Sequence, residues 1–345
     1  AALGHGLVYA SHGFRERTVY ALDAKTGRSR WDVKLEDNGP STVTLTRERI
    51  YACTESCTCA AITPRRGKKV WERNIGPNVA GAPTVVGKRV FAAHATEDRT
   101  TLLTAMDGKT GDVIWQRPIA QDLIGAPVHH EERLYLTDRH GVVSCFDLDG
   151  EVRWFVNPRA SSAPWVAKGR LYLATDVAWR KGVPAVRCLE AATGRTVWST
   201  DPEPSVRAEG GPDRYASHNA VVASLSGWAA DPPRPVVVGR RCVIAGGPHL
   251  AVLDADSGEL EVLRRLPGNH RFHSAPAVLG KRLLFATFRG LLLEIEPRTG
   301  TIAKALDLRC AVTSQPVVAD GRVVVTSRGR VISLPWPTAK KGEAY

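Results

Sequence analysis

Ala21-Leu22-Asp23-Ala24-Lys25-Thr26-Gly27, with Trp31 four residues beyond the glycine, is a phrase that returns through most of this 345-residue chain. Its glycine recurs at Gly67, Gly111, Gly150, Gly194, Gly258 and Gly300, at successive spacings of 40, 44, 39, 44, 64 and 42 residues. Its tryptophan recurs at Trp71, Trp115, Trp154 and Trp198, while Val262 and Lys304 stand there in the sixth and seventh units. A period near forty with several short strands per unit is the signature of a β-propeller.

The third unit shows how one repeat works. Ala82 to Val86, Arg89 to Ala93, Leu102 to Asp107 and Val113 to Pro118 are rich in β-branched and apolar residues, and Gly, Pro and Asp bound them. They read as four strands. The aspartate before this unit's Thr-Gly turn can accept backbone N–H bonds, and the glycine is expected at positive φ. The tryptophan is large enough to seal one blade on the next. Gly27, Gly67, Gly111 and Gly194, with Trp31, Trp71, Trp115, Trp154 and Trp198, are therefore the structural residues of the repeat. Gln315 to Pro335 supplies three more strands without a Thr-Gly turn, and Ala1-Ala2-Leu3 is the stub of a first strand. Seven phrases plus this incomplete unit predict an all-β, eight-bladed propeller, with seven blades as the alternative. It is one domain over 1–338, with a loop insertion at 203–234 and a tail at 339–345.

These residues resemble the PQQ-like propeller repeat family, which covers bacterial quinoprotein dehydrogenases and the propeller lipoprotein of the outer-membrane β-barrel assembly machinery. The resemblance implies docking for the assembly-factor group, an extracytoplasmic (periplasmic or secreted) location, and a ring closed by an N-terminal strand that completes the last blade. Residues upstream of Ala1 are expected for that reason. In members that bind pyrroloquinoline quinone, the resemblance implies calcium beside the cofactor and often two adjacent cysteines over its ring. This chain has no Cys-Cys pair and no identifiable calcium constellation. No cofactor is predicted, with PQQ or a metal as the minor alternative.

Strands alternate in direction, so the lead-in to strand one, the turn between strands two and three and the exit of strand four share one face. Departures from the repeat gather there. Trp71 to Pro83 and Trp115 to Pro127 are each 12 residues apart, whereas Trp198 to Pro235 is 37. The inserted segment carries Arg214, Tyr215, His218 and Trp228, and long loops in compact domains are commonly functional. It reads as a cap, and removing 205–230 is expected to leave the fold intact. A second departure is Cys53-Thr54-Glu55-Ser56-Cys57-Thr58-Cys59. Cys53, Cys57 and Cys59 could ligate a metal, form a local disulfide, or simply fill a tight turn. Cys145, Cys188 and Cys242 read as buried small residues.

The third departure is the inner rim. Ser41, Gly81, Gly125, Ser162, Ser274 and Ser314 are small, with Asn269, His270, Arg271, His273 and Gln315 around the mouth. Together with Arg289 and Arg328 they make the best candidate for an anion site. The net charge of +12 suits an acidic partner, but basic residues scatter over both ends of the blades. No basic–aromatic interleaving points to nucleic acid, and no apolar run approaches the ~20 residues that span a bilayer. The reading is a monomeric, non-catalytic binding or scaffolding propeller that offers its loop-rich face to a macromolecular or anionic partner. A propeller enzyme or small-ligand sensor using His218, His270 or His273 is the alternative.

Overall fold

The computed structural model describes residues 1–11, 16–39, 42–54, 58–79, 82–98, 100–120, 122–175, 185–200, 234–266, 270–327 and 329–336. All regular elements among them are antiparallel strands, in eight sheets ordered as the chain runs. Blade 3 is typical: Thr84–Val86, Arg89–Ala95, Thr101–Asp107 and Val113–Ile119, with Asn78–Val79 added beside strand two. The stub Ala2–Gly4 pairs with Leu7–Ser11 as the inner strand of blade 1. Blade 8 has three strands, Val317–Ala319, Arg322–Ser327 and Arg330–Pro335. Inner strands of blades 1 and 8 touch, which closes an eight-bladed propeller. The insertion at 203–234 and the tail at 339–345 lie outside the described residues, apart from Arg234.

Burial follows each strand's place in its blade. Strands two and three are covered by neighbouring blades on both faces and are almost continuously buried, as in Ile50–Cys53 and Thr58–Ile62. Outer strands are far more exposed: Val113–Ile119 mixes exposed and half-buried side chains, and Thr301–Asp307 is exposed throughout. The core is a set of interblade layers, such as Tyr9 and Val19 of blade 1 against Ile50 and Ile62 of blade 2.

The repeated phrase builds both a turn and a seal. Asp107 Oδ1 accepts the N–H groups of Lys109 and Thr110 at 2.7 and 2.9 Å, and the Gly111 N–H donates to Asp107 O at 2.8 Å. These N–H bonds, Thr110 first, hold the Asp107 carboxyl below the usual carboxylate range. All seven phrase glycines have positive φ. In each four-stranded blade a register shift falls between strands three and four, beside the tryptophan position. From there each indole N–H reaches a carbonyl in the next blade: Trp31 to Pro64, Trp71 to Gly108, Trp115 to Leu148, Trp154 to Ala191 and Trp198 to Ala255, all at 2.9–3.1 Å. An added Cβ on Gly111 would lie 2.7 Å from the Trp71 ring.

Three seams lack this tryptophan and are sealed otherwise; at that of blades 6 and 7, Val262 and Leu250 lie against the Gly300 turn. At the seam of blades 7 and 8, Lys304 occupies the tryptophan position and the indole comes from the end of blade 8. Trp336 is fully buried, donates to Glu294 Oε2 at 3.0 Å, and carries the Lys304 ammonium 4.0 Å over its ring. At the seam of blades 8 and 1, the Ala24 carbonyl accepts the Ser333 hydroxyl at 2.8 Å. Arginines reinforce other seams on the face that carries the Thr-Gly turns. Arg89 bonds Leu148 O and Asp149, Arg133 bonds Ala191 O and Ala192 O, and Arg170 bonds Ala255 O and Asp256. Much of that face's positive charge is thus tied into the ring.

Candidate functional site: the mouth of the propeller

The candidate residues gather at the seam between blades 6 and 7. Phe272, just before strand one of blade 7, forms antiparallel bridges to Gly247 on one side and Thr287 on the other. It is anchored by its buried ring, which meets Phe285 edge-on at 4.9 Å. The Phe272–Thr287 register sets His270 opposite Arg289, Arg271 opposite Phe288 and His273 opposite Ala286. The Phe288 N–H donates to Arg271 O at 3.3 Å, Val312 N to Phe288 O at 3.1 Å, and Leu308 N to Gly290 O at 3.0 Å. The turn Phe288-Arg289-Gly290 is therefore tied by backbone to the segments on both sides of it.

Four of the five described candidates meet here. His270 is half-buried, with Nδ1 3.5 Å from the Thr287 hydroxyl. Arg271 and Arg289 are exposed, and no ion pair engages either among the described residues. The His273 ring packs edge-on against Phe288 at 6.0 Å. Both His273 ring nitrogens and the Ser274 hydroxyl are buried without a hydrogen-bond partner. Desolvation lowers the His273 pKa. His273 is neutral at pH 7. Gln315 belongs to the next seam, where its amide donates to Pro276 O at 2.9 Å.

The small rim residues also serve the ring. Ser162 and Ser314 accept the backbone N–H groups of Ala174 and Thr326 at 3.0 and 2.9 Å. Ser41, Gly81, Asn269, Arg328, Arg214, Tyr215, His218 and Trp228 lie outside the described residues. So does Cys57. Cys53 and Cys59 face each other across strands two and three of blade 2 and are joined as a disulfide. Neither sulfur is then a thiolate for a metal, so the disulfide reading replaces the ligand reading for this pair. Cys145, Cys188 and Cys242 are buried thiols, and burial pushes Cys188 up to about 12. No group of three metal-ligating side chains occurs among the described residues.

Phe288 was not legible from the sequence. An apolar residue after a strand rich in leucine reads as core, yet half of its side chain is exposed. Among the described residues, all other exposed large apolar side chains lie within strands. Calcium takes six to eight oxygen ligands, whereas the groups gathered at this seam are two guanidinium ions, two imidazoles and a phenyl ring. They do not fit a quinone–calcium pair.

A ring of eight blades, seven with a positive-φ glycine turn between their last two strands and five with a tryptophan after it, is a PQQ-like repeat propeller. Residues 2–122, 58–183, 100–225 and 183–334 match the family of the outer membrane protein assembly factor BamB, and the chain belongs to that family. BamB from Moraxella catarrhalis superimposes with a TM-score of 0.71 at 14% identity, covering 96% of this chain and 94% of that one. The computationally designed Ika8 protein gives 0.72 at 14% identity, with the same coverage. A europium-containing methanol dehydrogenase gives 0.66 at 13% identity, over 94% of this chain and 81% of that one. These likenesses show the shared fold. No curated protein matches the chain in sequence.

Proposed function

We propose that this chain is a non-catalytic docking propeller that engages a protein partner through its mouth. The observation that carries this reading is how the mouth distributes its polar groups. Gln315, Ser162 and Ser314, which would face a small ligand in the pit, are bonded to the ring's own backbone. The groups left exposed, Arg271, Phe288 and Arg289, sit on a braced rim where a macromolecule can reach them. Membership in the BamB family supports a scaffold role and an outer-membrane-associated, extracytoplasmic location. The Cys53–Cys59 disulfide accords with an oxidising compartment. A monomer that contributes one such face to an assembly is the simplest form of this proposal.

Site-specific photo-crosslinking in the native host tests it. A crosslinker at position 288 should capture a defined protein that one at position 25, on the opposite face, does not. Equal capture from both positions would refute a docking mouth. A second reading, a small-ligand sensor or enzyme, is favoured by one observation: His273 and Ser274 bury three polar atoms with no partner. It predicts that His273→Phe abolishes ligand-induced thermal stabilisation while leaving crosslinking at 288 unchanged.

A further inference from the structure

Charge is divided across the mouth. Asp37, Asp98, Asp122 and Asp138 lie in lead-ins and turns of blades 2 to 4. In the sector of blades 6 to 8, the corresponding positions carry Arg265, Arg271, Arg289, Arg309 and Arg330, with Asp307 as the acid among them. Among the described residues none of these five arginines forms an ion pair, while Arg139 in the other sector sits 4.0 Å from Asp122. Five arginines without an ion pair on one side of a rim add little to the stability of the ring. They do complement an anionic partner.

In the middle of this sector stands Phe288. It is the only exposed large apolar side chain in a turn among the described residues. Its exposure is not slack in the chain, because backbone bonds from Arg271, Val312 and Leu308 hold the turn on both flanks. A rigid aromatic edge pays little ordering entropy on binding, and aromatic and arginine side chains are the residue types that dominate interface energetics. His273 supports the ring from beneath and, being neutral, adds no charge.

We infer that the sector of blades 6 to 8 binds an acidic segment of a partner protein, whose carboxylates meet Arg271 and Arg289 and whose apolar side chain packs on Phe288. This rests on the docking function proposed above and names the chemistry of the partner. A nucleic acid would satisfy the arginines too. A single phenyl ring beside unpaired guanidinium ions, with no succession of aromatic platforms, fits an apolar side chain better than a run of stacked bases.

The test uses fluorescence anisotropy with three labelled peptides of about twelve residues. The first alternates Glu or Asp with Leu and Phe; the second replaces the acids by Lys; the third replaces the apolar residues by Ser. The first should bind, and the other two should bind at least about tenfold more weakly. Phe288→Ala should weaken binding of the first about tenfold. Arg271→Glu with Arg289→Glu should weaken it at least as much and flatten its salt dependence. Lys25→Glu on the opposite face should change nothing. Phe288 and both arginines are exposed, so far-UV circular dichroism should match the parent.

Failure to bind the first peptide, or equal binding by all variants, overturns the inference. So does a single-stranded RNA that binds as tightly with the same dependence on the two arginines but none on Phe288. Hydrogen exchange separates this failure from failure of the docking function. Peptide-induced protection over 286–292 supports the sector. Protection confined to blades 2 to 4 overturns the sector assignment and leaves docking standing. No peptide binding, together with saturable binding of inorganic phosphate that His273→Phe abolishes, overturns both.

Discussion

Removing Trp71 probes the seal on which the ring depends, and its effect can be worked from the contacts. The side chain is 6% exposed, lies 6.1 Å from the Tyr51 ring, and donates to Gly108 O at 3.0 Å. Truncating a buried tryptophan to alanine costs about 3–5 kcal/mol. The Gly108 carbonyl keeps its bond from the Tyr51 hydroxyl at 3.1 Å, so no acceptor is stranded. That places Trp71→Ala in the lower half of the range, about 3–4 kcal/mol. Gly111→Ala attacks the same contact from the other blade. At φ +79 an alanine pays about 1–2 kcal/mol for the left-handed region. Its Cβ would also press within 2.7 Å of the Trp71 ring, adding about 1–3 kcal/mol of overpacking. Once Trp71 is gone only the flexible Arg73 side chain, at 3.0 Å, still meets that Cβ, so the two changes should be non-additive, with a coupling of about 1–3 kcal/mol. Gly27 provides the control. At φ +72 it has nothing within 4 Å of an added Cβ, because no tryptophan covers the first blade's turn among the described residues. Gly27→Ala should therefore cost only the left-handed strain. Urea unfolding followed by far-UV circular dichroism measures all four variants without relying on tryptophan emission, at an unchanged m-value. Additivity within about 0.5 kcal/mol would refute the idea that the indole and the neighbouring glycine form one seal.

Other expectations follow from the seams and the buried imidazoles. Glu294→Ala leaves the buried Trp336 N–H without its acceptor and should cost about 1–3 kcal/mol in urea unfolding, whereas a change confined to the exposed half of Arg282 should cost less. Reducing the Cys53–Cys59 disulfide, whose cysteines are six residues apart, should cost about 2 kcal/mol, read as a lower urea midpoint in reductant. His94 and His273 are both held below the ordinary histidine pKa by desolvation. The unfolded chain then binds more protons in mildly acid solution, so their contribution is complete above about pH 6.5 and is lost as pH falls through the folded values. The melting temperature should drop on acidification from pH 7.5 to 5. His94→Gln should shallow that slope, and a slope of opposite sign would contradict burial of the neutral imidazoles.

What the sequence alone determined is what neighbouring residues decide. An aspartate capping its own turn, a glycine at positive φ and a β-period of two act within a few residues, so the repeat length, the four strands and the stub at Ala2–Gly4 could all be read directly. The five tryptophans followed because one phrase repeated in register implies one contact repeated in space. The tertiary structure decided everything that depends on which blades become neighbours. It chose the disulfide for Cys53 and Cys59 by pairing strands two and three of blade 2. It tied Gln315 to Pro276, and it turned Trp336 back into a seam that lacked its own indole. It set 286–289 beside 270–273, leaving Phe288 outside the core and between two arginines. The Gln315 and Trp336 pairings join different blades, and their partners are fixed only when the ring closes, since closure brings together side chains that no local rule relates.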